Sequence, residues 1–478
     1  MAKLPNCLVV VALAGAVLLA SGCVHYEPKP LAPTQAMHDL ESRTLTDEGL
    51  RAFIETNASD AAKDWPRRSW DLAGLTLAAF YYHPSLDVAR AQVGVAEAGV
   101  ITAGGRPNPT VSFAPQYNVS ALSGINPWTL GFNFDIPIET AGKRGKRIAQ
   151  AKHLSAAARL NIATIAWGVR NNLRARLLDF TAARQREALL QQQLSIQEQI
   201  VTLLGQQAQA GAIASSELAT FRIALQKARL DLADAQRQQT ESRGHLAKAI
   251  GLSVHALDTV ELVFNLNDSF GATNLTSAEI RHHALLGRAD ILGALAEYAA
   301  AESALQLEIA RQYPDLHLSP GYQFDQGDSK WSLGMTLDLP VLNQNQGPIA
   351  EAEARREEAV ARFDAIQARA LAEIESSVEV FRVTESNSAT LRSLADEQAK
   401  RRDSIEVQFR AGAADQLDFL NAQFEFAAAG LAQLDGRVKL QQAIGALEDA
   451  VQRPIDAATA PPPAVFSPGP KMSSPENK

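Results

Sequence analysis

Residue types that could support catalysis or metal binding are sparse in this chain of 478 residues. His282 and His283 are adjacent, so on a helix their side chains would point about 100° apart. No cysteine or acidic residue at a suitable spacing completes a ligand set around them. There is no glycine-rich phosphate loop, no nucleophile elbow and no supported pair of catalytic carboxylates. The sequence therefore predicts neither an enzyme nor a metal site, and it implies no cofactor.

The residue with the clearest chemistry is Cys23, one of two cysteines. A basic residue and an apolar run precede Ser21 and Gly22, which is typical of a secretory signal peptide over 1–22. Small residues directly before a cysteine resemble a bacterial lipobox, which predicts a covalent lipid on Cys23. An ordinary signal peptide followed by an incidental cysteine is the alternative. Because Cys7 leaves with the signal peptide, the mature chain forms no internal disulfide.

The overall composition argues against two broad classes of protein. The formal net charge is −8 and no long basic block is present, so a nucleic-acid partner is not expected. The mean hydropathy of −0.11 argues against a membrane protein with many apolar helices. The length allows two or three ordinary domains or one elongated architecture.

Two long tracts, 138–313 and 349–453, lack proline and are rich in residues that favour helices. In the first tract apolar residues step by three and four from Ile162 to Phe180, the spacing of one buried stripe. An unbroken helix over about 142–211 would be roughly 100 Å long at 1.5 Å per residue. Such a length predicts a coiled coil or a helical tube.

Four segments of about ten residues alternate between bulky apolar residues and small or polar ones. In the segment from Trp128 to Ile138 the apolar positions are every second residue. This length is what a tilted transmembrane β-strand needs. A soluble, half-buried hairpin is the alternative for any single segment, but four segments of the same kind favour strands that face lipid. The segments are 110–119, 127–138, 315–324 and 331–341.

The two halves of the chain repeat each other. WTLGFNFDIPI from Trp128 matches WSLGMTLDLPV from Trp331, and AGAIASSELATF (210–221) aligns with AGAADQLDFLNA (411–422). Each half therefore predicts a helix, a β-hairpin, a very long helix, a tight turn and a returning helix. Four membrane strands cannot close a barrel, so several copies of the chain must share one.

These landmarks divide the chain into six parts. They are a signal peptide (1–22), a lipidated N-terminal segment and equatorial linker (23–70), repeat 1 (71–251, with its hairpin at about 110–138 and its tip at about 210–216), a second equatorial linker (252–276), repeat 2 (277–452, with its hairpin at about 315–341 and its tip at about 411–417), and a disordered, proline-rich tail (453–478).

Over roughly residues 70–452 the sequence resembles the TolC-type outer-membrane efflux family, whose members include outer-membrane lipoproteins. The likeness rests on the duplicated hairpins, on the strand starts PNPTVSF and YPDLHLS, and on FRAGAADQLDFLNAQ (409–423). PIETAGKRGKR also resembles the metal-cation efflux branch. The resemblance implies a mostly α fold with a β membrane part, in which a trimeric, 12-stranded β-barrel continues as a periplasmic α-helical barrel.

The same resemblance implies a function and a set of partners. The chain would be a passive, gated exit duct of a tripartite efflux system, carrying small toxic solutes or metal cations. It would form a homotrimer, anchored by lipid in the outer membrane with most of its helical mass in the periplasm. A periplasmic adaptor (membrane fusion protein) and an inner-membrane transporter would complete the system. The alternative is a periplasmic coiled-coil adaptor or scaffold lipoprotein with soluble hairpins.

Asp418 and Asn421 are the residues that the resemblance assigns to the periplasmic gate. Asp418 matches a position where acidic side chains narrow the inner end of the tunnel, and three carboxylates there would attract cations and repel one another. A solvated acidic residue at a helix start is the alternative. Asn421 stands where the family often has a second acidic residue, so one ring of the gate would be uncharged.

The two predicted helical tips supply the turning backbone that a helix reversal requires. The resemblance implies that they also contact the adaptor, with Ile213 exposed for docking, and a simple turn is the alternative. The predicted contact residues are Gly211, Ala212, Ile213, Ala214, Gly412, Ala413 and Ala414.

A basic cluster, Lys143, Arg144, Lys146 and Arg147, lies at the predicted start of the first long helix. The helix dipole disfavours cations at this end. Two interpretations stay open: contact with anionic phospholipid headgroups next to the membrane strand, or a solvated run of charges. The second repeat has no such charges at the equivalent positions.

Overall fold

The computed structural model describes residues 26–58, 65–267, 281–282 and 285–454. It divides into one unit that ends at Arg43 and a larger unit that begins at Thr44. The smaller unit contains helix α1 (Pro33–Glu41). The predicted signal peptide, Cys23, His283 and the tail from residue 455 lie outside the described residues.

The larger unit begins with four short elements, the last two of which pack onto the first long helix. In chain order they are α2 (Glu48–Asn57), β1 (Ser69–Trp70), α3 (Leu72–Tyr82) and α4 (Pro84–Ala103). Helix α3 is buried over most of its length, with Leu75 and Phe80 almost fully covered. Its side chains form the largest apolar core among the described residues together with residues of the first long helix, such as Leu173 and Leu177.

The first repeat continues with β2 (Thr110–Tyr117), β3 (Trp128–Ile138), α5 (Lys143–Gln209) and α6 (Ser215–Ile250). After α6 the two-residue strand β4 (Glu261–Leu262) pairs in parallel with β1. The second repeat consists of α7 (Ala289–Ala310), β5 (Leu316–Asp325), β6 (Asp328–Leu337), α8 (Gln346–Arg410) and α9 (Gln416–Val451). The predicted unit of helix, hairpin, long helix, turn and returning helix is therefore confirmed in both halves.

The long helices α5 and α8 have 67 and 65 residues, and the returning helices α6 and α9 have 36 each. The predicted stripe on α5 is the buried one, since Ile162, Val169, Leu173 and Leu177 are all covered. Each long helix starts after a residue with left-handed backbone, Gly142 in the first repeat and its counterpart in the second. Equivalent positions of the two repeats therefore have the same backbone conformation.

The helices form a row that stays four helices wide. Helix α5 packs against α4, α6, α7 and α9, and α8 packs against α7 and α9. Near the sheet the order is α4, α5, α7, α8, and toward the tips it is α6, α5, α9, α8. Helices α7 and α9 therefore follow one another in the groove between the two long helices.

The two hairpins join into one antiparallel sheet of order β2-β3-β5-β6. The repeats meet where β3 pairs with β5, with Ile138 opposite Leu316. In the described chain β2 and β6 each pair on one side only, so both edges of the sheet are open. The strands have 8 to 11 residues, close to the predicted length.

The second hairpin differs from the expected range of about 315–341, because β6 ends at Leu337. Pro340 follows closely, and proline has no backbone N–H to donate to a neighbouring strand. The equivalent residue of the first repeat, Pro137, lies within β3, which pairs on both sides and continues to Ile138. The edge strand lacks that second partner.

Candidate functional site

The four-stranded sheet divides its side chains between two chemically different faces. Neighbouring residues of a strand point to opposite sides, so the observed register assigns each residue to one face. The apolar face is exposed: Trp331 is 83% and Leu333 is 76% accessible. This face carries Val111, Phe113, Tyr117, Trp128, Leu130, Phe132, Phe134, Ile136, Leu318, Tyr322, Phe324, Trp331, Leu333 and Met335.

Aromatic pairs lie near the turn end of both hairpins on this apolar face. Tyr117 and Trp128 are directly opposite in the register and their ring centroids are 5.0 Å apart. Tyr322 and Trp331 occupy the equivalent positions of the second hairpin, with centroids 4.9 Å apart. Rings with a polar edge at the rim of an apolar band are typical of strands that end at a membrane–water interface.

The opposite face of the sheet is polar, and its charged groups contact one another. His317 Nδ1 lies 3.0 Å from the Asp135 carboxylate across strands β5 and β3. Asp325 accepts a hydrogen bond of 2.9 Å from Thr129 Oγ1 and pairs with Lys330 at 2.7 Å. Such a face suits water rather than lipid, so the two sides of the sheet require different surroundings.

Three of the four cations in the basic cluster at the start of α5 bind neighbouring residues, which corrects the interpretation of the cluster as a solvated run of charges. Lys143 is buried, and its Nζ donates to the carbonyl of Tyr313 and to the Asp315 carboxylate, each at 2.7 Å. Burial raises the pKa of Asp315, but hydrogen bonds from Lys143 and Thr140 outweigh it and the net pKa is below its usual value. Lys143 therefore ties α5 to the start of β5.

Two arginines of the cluster bind the end of the preceding helix. Arg144 Nε donates to the carbonyl of Gly104 at 2.7 Å, and Arg147 donates to the carbonyls of Ala103 and Gly105. Arg147 also forms an ion pair with Glu139. Helix C-termini have free carbonyls that attract cations. These cations are unfavourable at the start of α5, but they stabilise the end of α4.

In the second repeat an uncharged residue makes the equivalent contact. Asn345 has left-handed backbone (φ 64°) directly before α8. Its side-chain amide donates to the carbonyl of Glu308 near the end of α7 at 2.8 Å, and to the carboxylate of the same residue at 3.0 Å. Both hairpins are therefore fastened at the base to the helix that precedes them.

The two helical tips have the same backbone geometry. Gly211 and Gly412 both have a φ of 75°, which residues with a Cβ rarely adopt. The next residue in each tip donates back to the helix end, Ala212 N–H to the carbonyl of Gln207 at 2.9 Å and Ala413 N–H to the carbonyl of Gln408 at 2.8 Å. These bonds close a Schellman turn at the end of each long helix.

The predicted contact residues of the tips differ in exposure. Gly211, Ala212, Ala214, Gly412 and Ala413 are exposed, whereas Ala414 is half-buried. Ile213, expected to be exposed, is also half-buried.

Ile213 packs in an apolar cluster that joins Ile200 and Leu204 of α5 to Leu218 of α6 and Leu420 of α9. Packing in this cluster removes the apolar side chain of Ile213 from water, which is favourable in free energy. The expectation that Ile213 is exposed is therefore wrong, and its contact with an adaptor stays a prediction.

Asp418 is the third residue of α9 and takes part in the cap that Asp415 forms at the start of this helix. Its backbone N–H donates to the Asp415 carboxylate at 2.7 Å, and its own carboxylate accepts from the Asp415 N–H at 3.4 Å. This is a reciprocal capping box that stabilises a helix start. The side chains of Asp418 and Asn421 are both exposed, close to the tip.

A buried charged network between α5 and α9 was not predicted from the sequence. Arg170 and Glu448 are only 1% and 3% exposed, and Arg170 Nη1 lies 3.1 Å from the Glu448 carboxylate. Arg174 lies 3.4 Å from the same carboxylate and donates to the backbone and side-chain oxygens of Gln441. Gly445 leaves room for Arg174, since a Cβ there would lie 2.4 Å from its Nη1. We call these residues the junction network.

The junction network continues to the point where α9 ends and α7 begins. Trp167 Nε1 donates to the Asp449 carboxylate at 2.9 Å. Arg288 is buried at the start of α7, donates to the carbonyl of Ala450 at 2.7 Å and pairs with Asp290 at 2.8 Å. Burial raises the pKa of Asp290, but its contacts with Arg288 outweigh this and the net pKa lies below the usual value. The spacing of Arg170 and Arg174, four residues apart beside the apolar stripe, was the available sequence signal.

Two further observations concern the described residues. None of their helices is both long enough and apolar enough to cross a membrane. Nor do they bring three His, Cys, Asp or Glu side chains together as a metal-binding group.

Comparisons with known proteins extend over both repeats. A family model described as "Outer membrane efflux protein" matches residues 79–252 and 280–451. The "Cobalt-zinc-cadmium resistance protein CzcC" of Cupriavidus metallidurans is 24% identical over 346 residues, which cover 71% of this chain and 79% of that protein.

Solved structures show a similar fold. The outer membrane protein VceC of Vibrio cholerae matches with a TM-score of 0.64 at 20% identity, covering 80% of this chain and 97% of that one. The CmeC outer membrane channel of Campylobacter jejuni matches with a TM-score of 0.65 at 17% identity, covering 80% and 85%. The family match takes in both hairpins, both long helices and both tips, which amounts to more than half of the chain. The chain therefore belongs to the outer membrane efflux protein family.

Proposed function

We propose that this chain is the outer-membrane exit channel of a tripartite efflux system, a passive and gated conduit rather than an enzyme. The observation that carries this function is the two-faced sheet with two open edges. An open edge in lipid leaves backbone groups without hydrogen-bond partners, at a cost of several kcal/mol each. The smallest bacterial barrels need about eight strands, so copies of the chain must share one barrel.

Three copies would give the twelve strands that the resemblance implies. The apolar face would meet lipid and the polar face would line a water-filled path. The row of four helices per chain would continue that path as a tube into the periplasm. Each chain has four strands in the sheet and a row of helices that is also four wide. This equal number supports a continuous wall from barrel to tube.

The test is the mass of the detergent-extracted protein, measured by light scattering with the detergent subtracted, followed by bilayer conductance. We expect three chains per particle and ion-conducting pores. A monomer without conductance would contradict the channel and favour the periplasmic adaptor or scaffold lipoprotein. A trimer that conducts excludes that alternative.

At the tips we propose contact with a periplasmic adaptor through exposed small residues. Small side chains allow the close approach of another helical hairpin, and the residues concerned are Gly211, Ala212, Ala214, Gly412, Ala413 and Ala414. Ile213 would act by packing under this surface. Ala212→Arg and Ala413→Arg should each weaken adaptor binding in a pull-down, whereas Lys152→Gln, far from the tips, should not.

For Asp418 we propose a second role in the gate, beside its helix cap. Three exposed carboxylates near the inner end of a tube would attract cations and repel one another. Asp418→Asn keeps an oxygen for the cap but removes the charge, so cation preference should fall while the fold is retained. Asn421→Asp should raise cation preference. Unchanged currents in both variants would remove this pair from the gate.

For Cys23 we propose a covalent lipid that anchors the N-terminus in the outer membrane. The mass of the mature chain should exceed that of the polypeptide from residue 23 by the acyl groups. Cys23→Ser should lose this excess mass and still yield membrane-inserted trimers, because the strands also hold the channel in lipid. A wild-type mass without acyl groups would contradict the anchor.

As cargo we propose metal cations, on the likeness to the cobalt-zinc-cadmium resistance protein. Small toxic solutes are the second candidate, because an exit duct places few demands on what passes. Deletion of the gene should lower tolerance to zinc, cobalt or cadmium, and a copy of the gene should restore it. Unchanged metal tolerance with lowered tolerance to organic toxins would favour the second candidate.

A further inference from the structure

A cleft of about 640 Å³ lies at the base of the sheet, between the start of α5 and the end of α7. Thr140 and Pro314 form its rim next to the strands. They lie two residues beyond Ile138 and Leu316, the last pair of the β3–β5 ladder. Ile138 belongs to the apolar side of β3 and is exposed. The cleft thus continues the surface that the proposed function assigns to lipid.

The lining of the cleft combines exposed apolar and amphipathic groups. Ile309 and Tyr313 are 42% and 61% exposed, and Ala310 closes the floor. A tyrosine ring with a free hydroxyl edge suits the level of lipid headgroups. The isoleucine beside it offers contact to an acyl chain, which gains free energy by leaving water.

Lys146 supplies the positive charge at the edge of this cleft. Lys143, Arg144 and Arg147 of the same cluster bind neighbouring residues, as described above. No side-chain hydrogen bond or ion pair joins Lys146 to the described part of the chain, so its ammonium is available. The four cations face two carboxylates, Glu139 and Asp315, which leaves a local net charge of +2.

The second repeat serves as an internal comparison. Ile349 occupies the position equivalent to Lys146, counted from the matching Trp128 and Trp331. The base of the second hairpin therefore lacks the cation.

We propose that this cleft binds one phospholipid of the periplasmic leaflet per chain, with the headgroup phosphate on Lys146 and an acyl chain against Ile309 and Tyr313. The proposal rests on the proposed function, which places the base of the sheet at that leaflet. The net positive charge favours an anionic headgroup such as phosphatidylglycerol over zwitterionic phosphatidylethanolamine. One lysine near a lipid surface changes binding of an anionic lipid by about fivefold.

The test is native mass spectrometry of the full-length assembly in detergent with added phosphatidylglycerol or phosphatidylethanolamine. Lys146→Gln should retain phosphatidylglycerol about fivefold less well than the wild type. The loss for phosphatidylethanolamine should be smaller, because its ammonium group offsets the charge of its phosphate. Ile309→Asp should reduce retention of both lipids, because it places a charge in the acyl contact. Lys152→Gln, on the same helix outside the cleft, is the matched control and should behave as the wild type.

Two outcomes would overturn the lipid site. Equal retention by Lys146→Gln, Ile309→Asp and wild type would show that bound lipid lies elsewhere. Competition by inorganic phosphate alone would show an anion site without an acyl contact. Bilayer conductance of the same preparations separates this proposal from the channel itself, since pores with unchanged lipid retention contradict only the lipid site and absent pores contradict the channel.

Discussion

Glu448 is the acceptor at which the buried contacts of α5 and α9 converge. It pairs with Arg170 and Arg174, and all three side chains are almost fully covered. Removing one member of a buried ion pair leaves the others charged and without compensation, at a cost of about 3–5 kcal/mol. Glu448→Ala should therefore lower the free energy of unfolding by about that amount, measured by denaturant unfolding followed by circular dichroism.

Two further variants make the Glu448 prediction specific. Glu448→Gln keeps an oxygen acceptor and the side-chain volume, so it should cost less than alanine. Glu357→Ala on α8 removes an exposed glutamate and should stay within about 0.5 kcal/mol of the wild type. Equal stability of Glu448→Ala and Glu357→Ala would show that the network contributes nothing to the fold.

Asp290 gives the junction network a pH dependence. Its pKa lies below the ordinary value of 3.8, because contacts with Arg288 and Arg369 outweigh burial. The stabilising contribution of such a carboxylate is present above the unfolded pKa and is lost as the pH falls through the folded pKa. Asp290→Asn should therefore destabilise the protein at pH 7, and the difference from wild type should shrink below about pH 4.

The matched control for Asp290 is Asp231→Asn on α6, where the carboxylate is exposed. That variant should show the wild-type stability at both pH values. Thermal unfolding at pH 7 and at several values below pH 4 measures the effect. A destabilisation by Asp290→Asn that persists unchanged in acid would exclude its charge as the cause.

At the residue scale, sequence reasoning placed some residues well and others wrongly. Gly211 and Gly412 were expected at turns, because glycine tolerates the backbone that a helix reversal needs, and both have positive φ. Arg170 and Glu448 were missed because 278 residues separate them, and no local period reveals a pair across such a distance. The exposure of Ile213 was predicted wrongly because packing between two hairpins depends on tertiary contacts.

At the scale of elements, two neighbouring residues on opposite faces of the sheet should respond differently to the same substitution. Leu333 lies on the exposed apolar face of β6, and Ser332 lies on the polar face opposite Gly321. A charged side chain facing lipid costs about 2–4 kcal/mol at mid-depth, whereas one facing water costs little. Leu333→Arg should therefore reduce the yield of membrane-inserted oligomer, and Ser332→Arg should not.

Membrane fractionation followed by an oligomer assay measures both sheet variants. The pair is matched in strand, depth and introduced charge, and differs only in the face. Loss of assembly in both variants would indicate that β6 tolerates no bulk, and normal assembly in both would show that neither face meets lipid.

Replacing glycine by alanine should change the stability in opposite directions at a helical tip and within α5. Gly211→Ala forces a Cβ into left-handed backbone and should cost about 1–2 kcal/mol. Gly205→Ala lies within α5, where a Cβ would meet nothing within 4 Å, and should gain about 0.5–1 kcal/mol. Denaturant unfolding of the two variants measures the difference. A gain from Gly211→Ala would show that the tip backbone relaxes without glycine.

The elements were largely predictable because each depends on a local pattern. Proline-free tracts predicted α5 and α8, and alternation predicted the strands. The bounds of β6 were less predictable, since an edge strand ends where its neighbour no longer supports it. The role of the basic cluster could not be predicted either, because its partners at Gly104 and Asp315 come from other elements.

For the whole molecule, the duplicated sequence predicted the architecture of the chain better than it predicted its assembly. The order β2-β3-β5-β6 follows from two hairpins placed side by side, and the helices repeat that order. The number of copies in a barrel depends on contacts between chains, which no pattern within one chain encodes. The resemblance to a trimeric family supplies the proposed number, and the open edges of the sheet support a number above one.

The position of the junction network has a mechanical consequence. About 48 Å of helix, at 1.5 Å per residue, separate Glu448 from Gln416 at the other end of α9. A rotation of about 5° at the junction would move the far end of a stiff rod of this length by about 4 Å. Because the helix is long, we predict that a substitution at Arg170 or Arg174 changes the spacing of the tips, although both residues lie far from them.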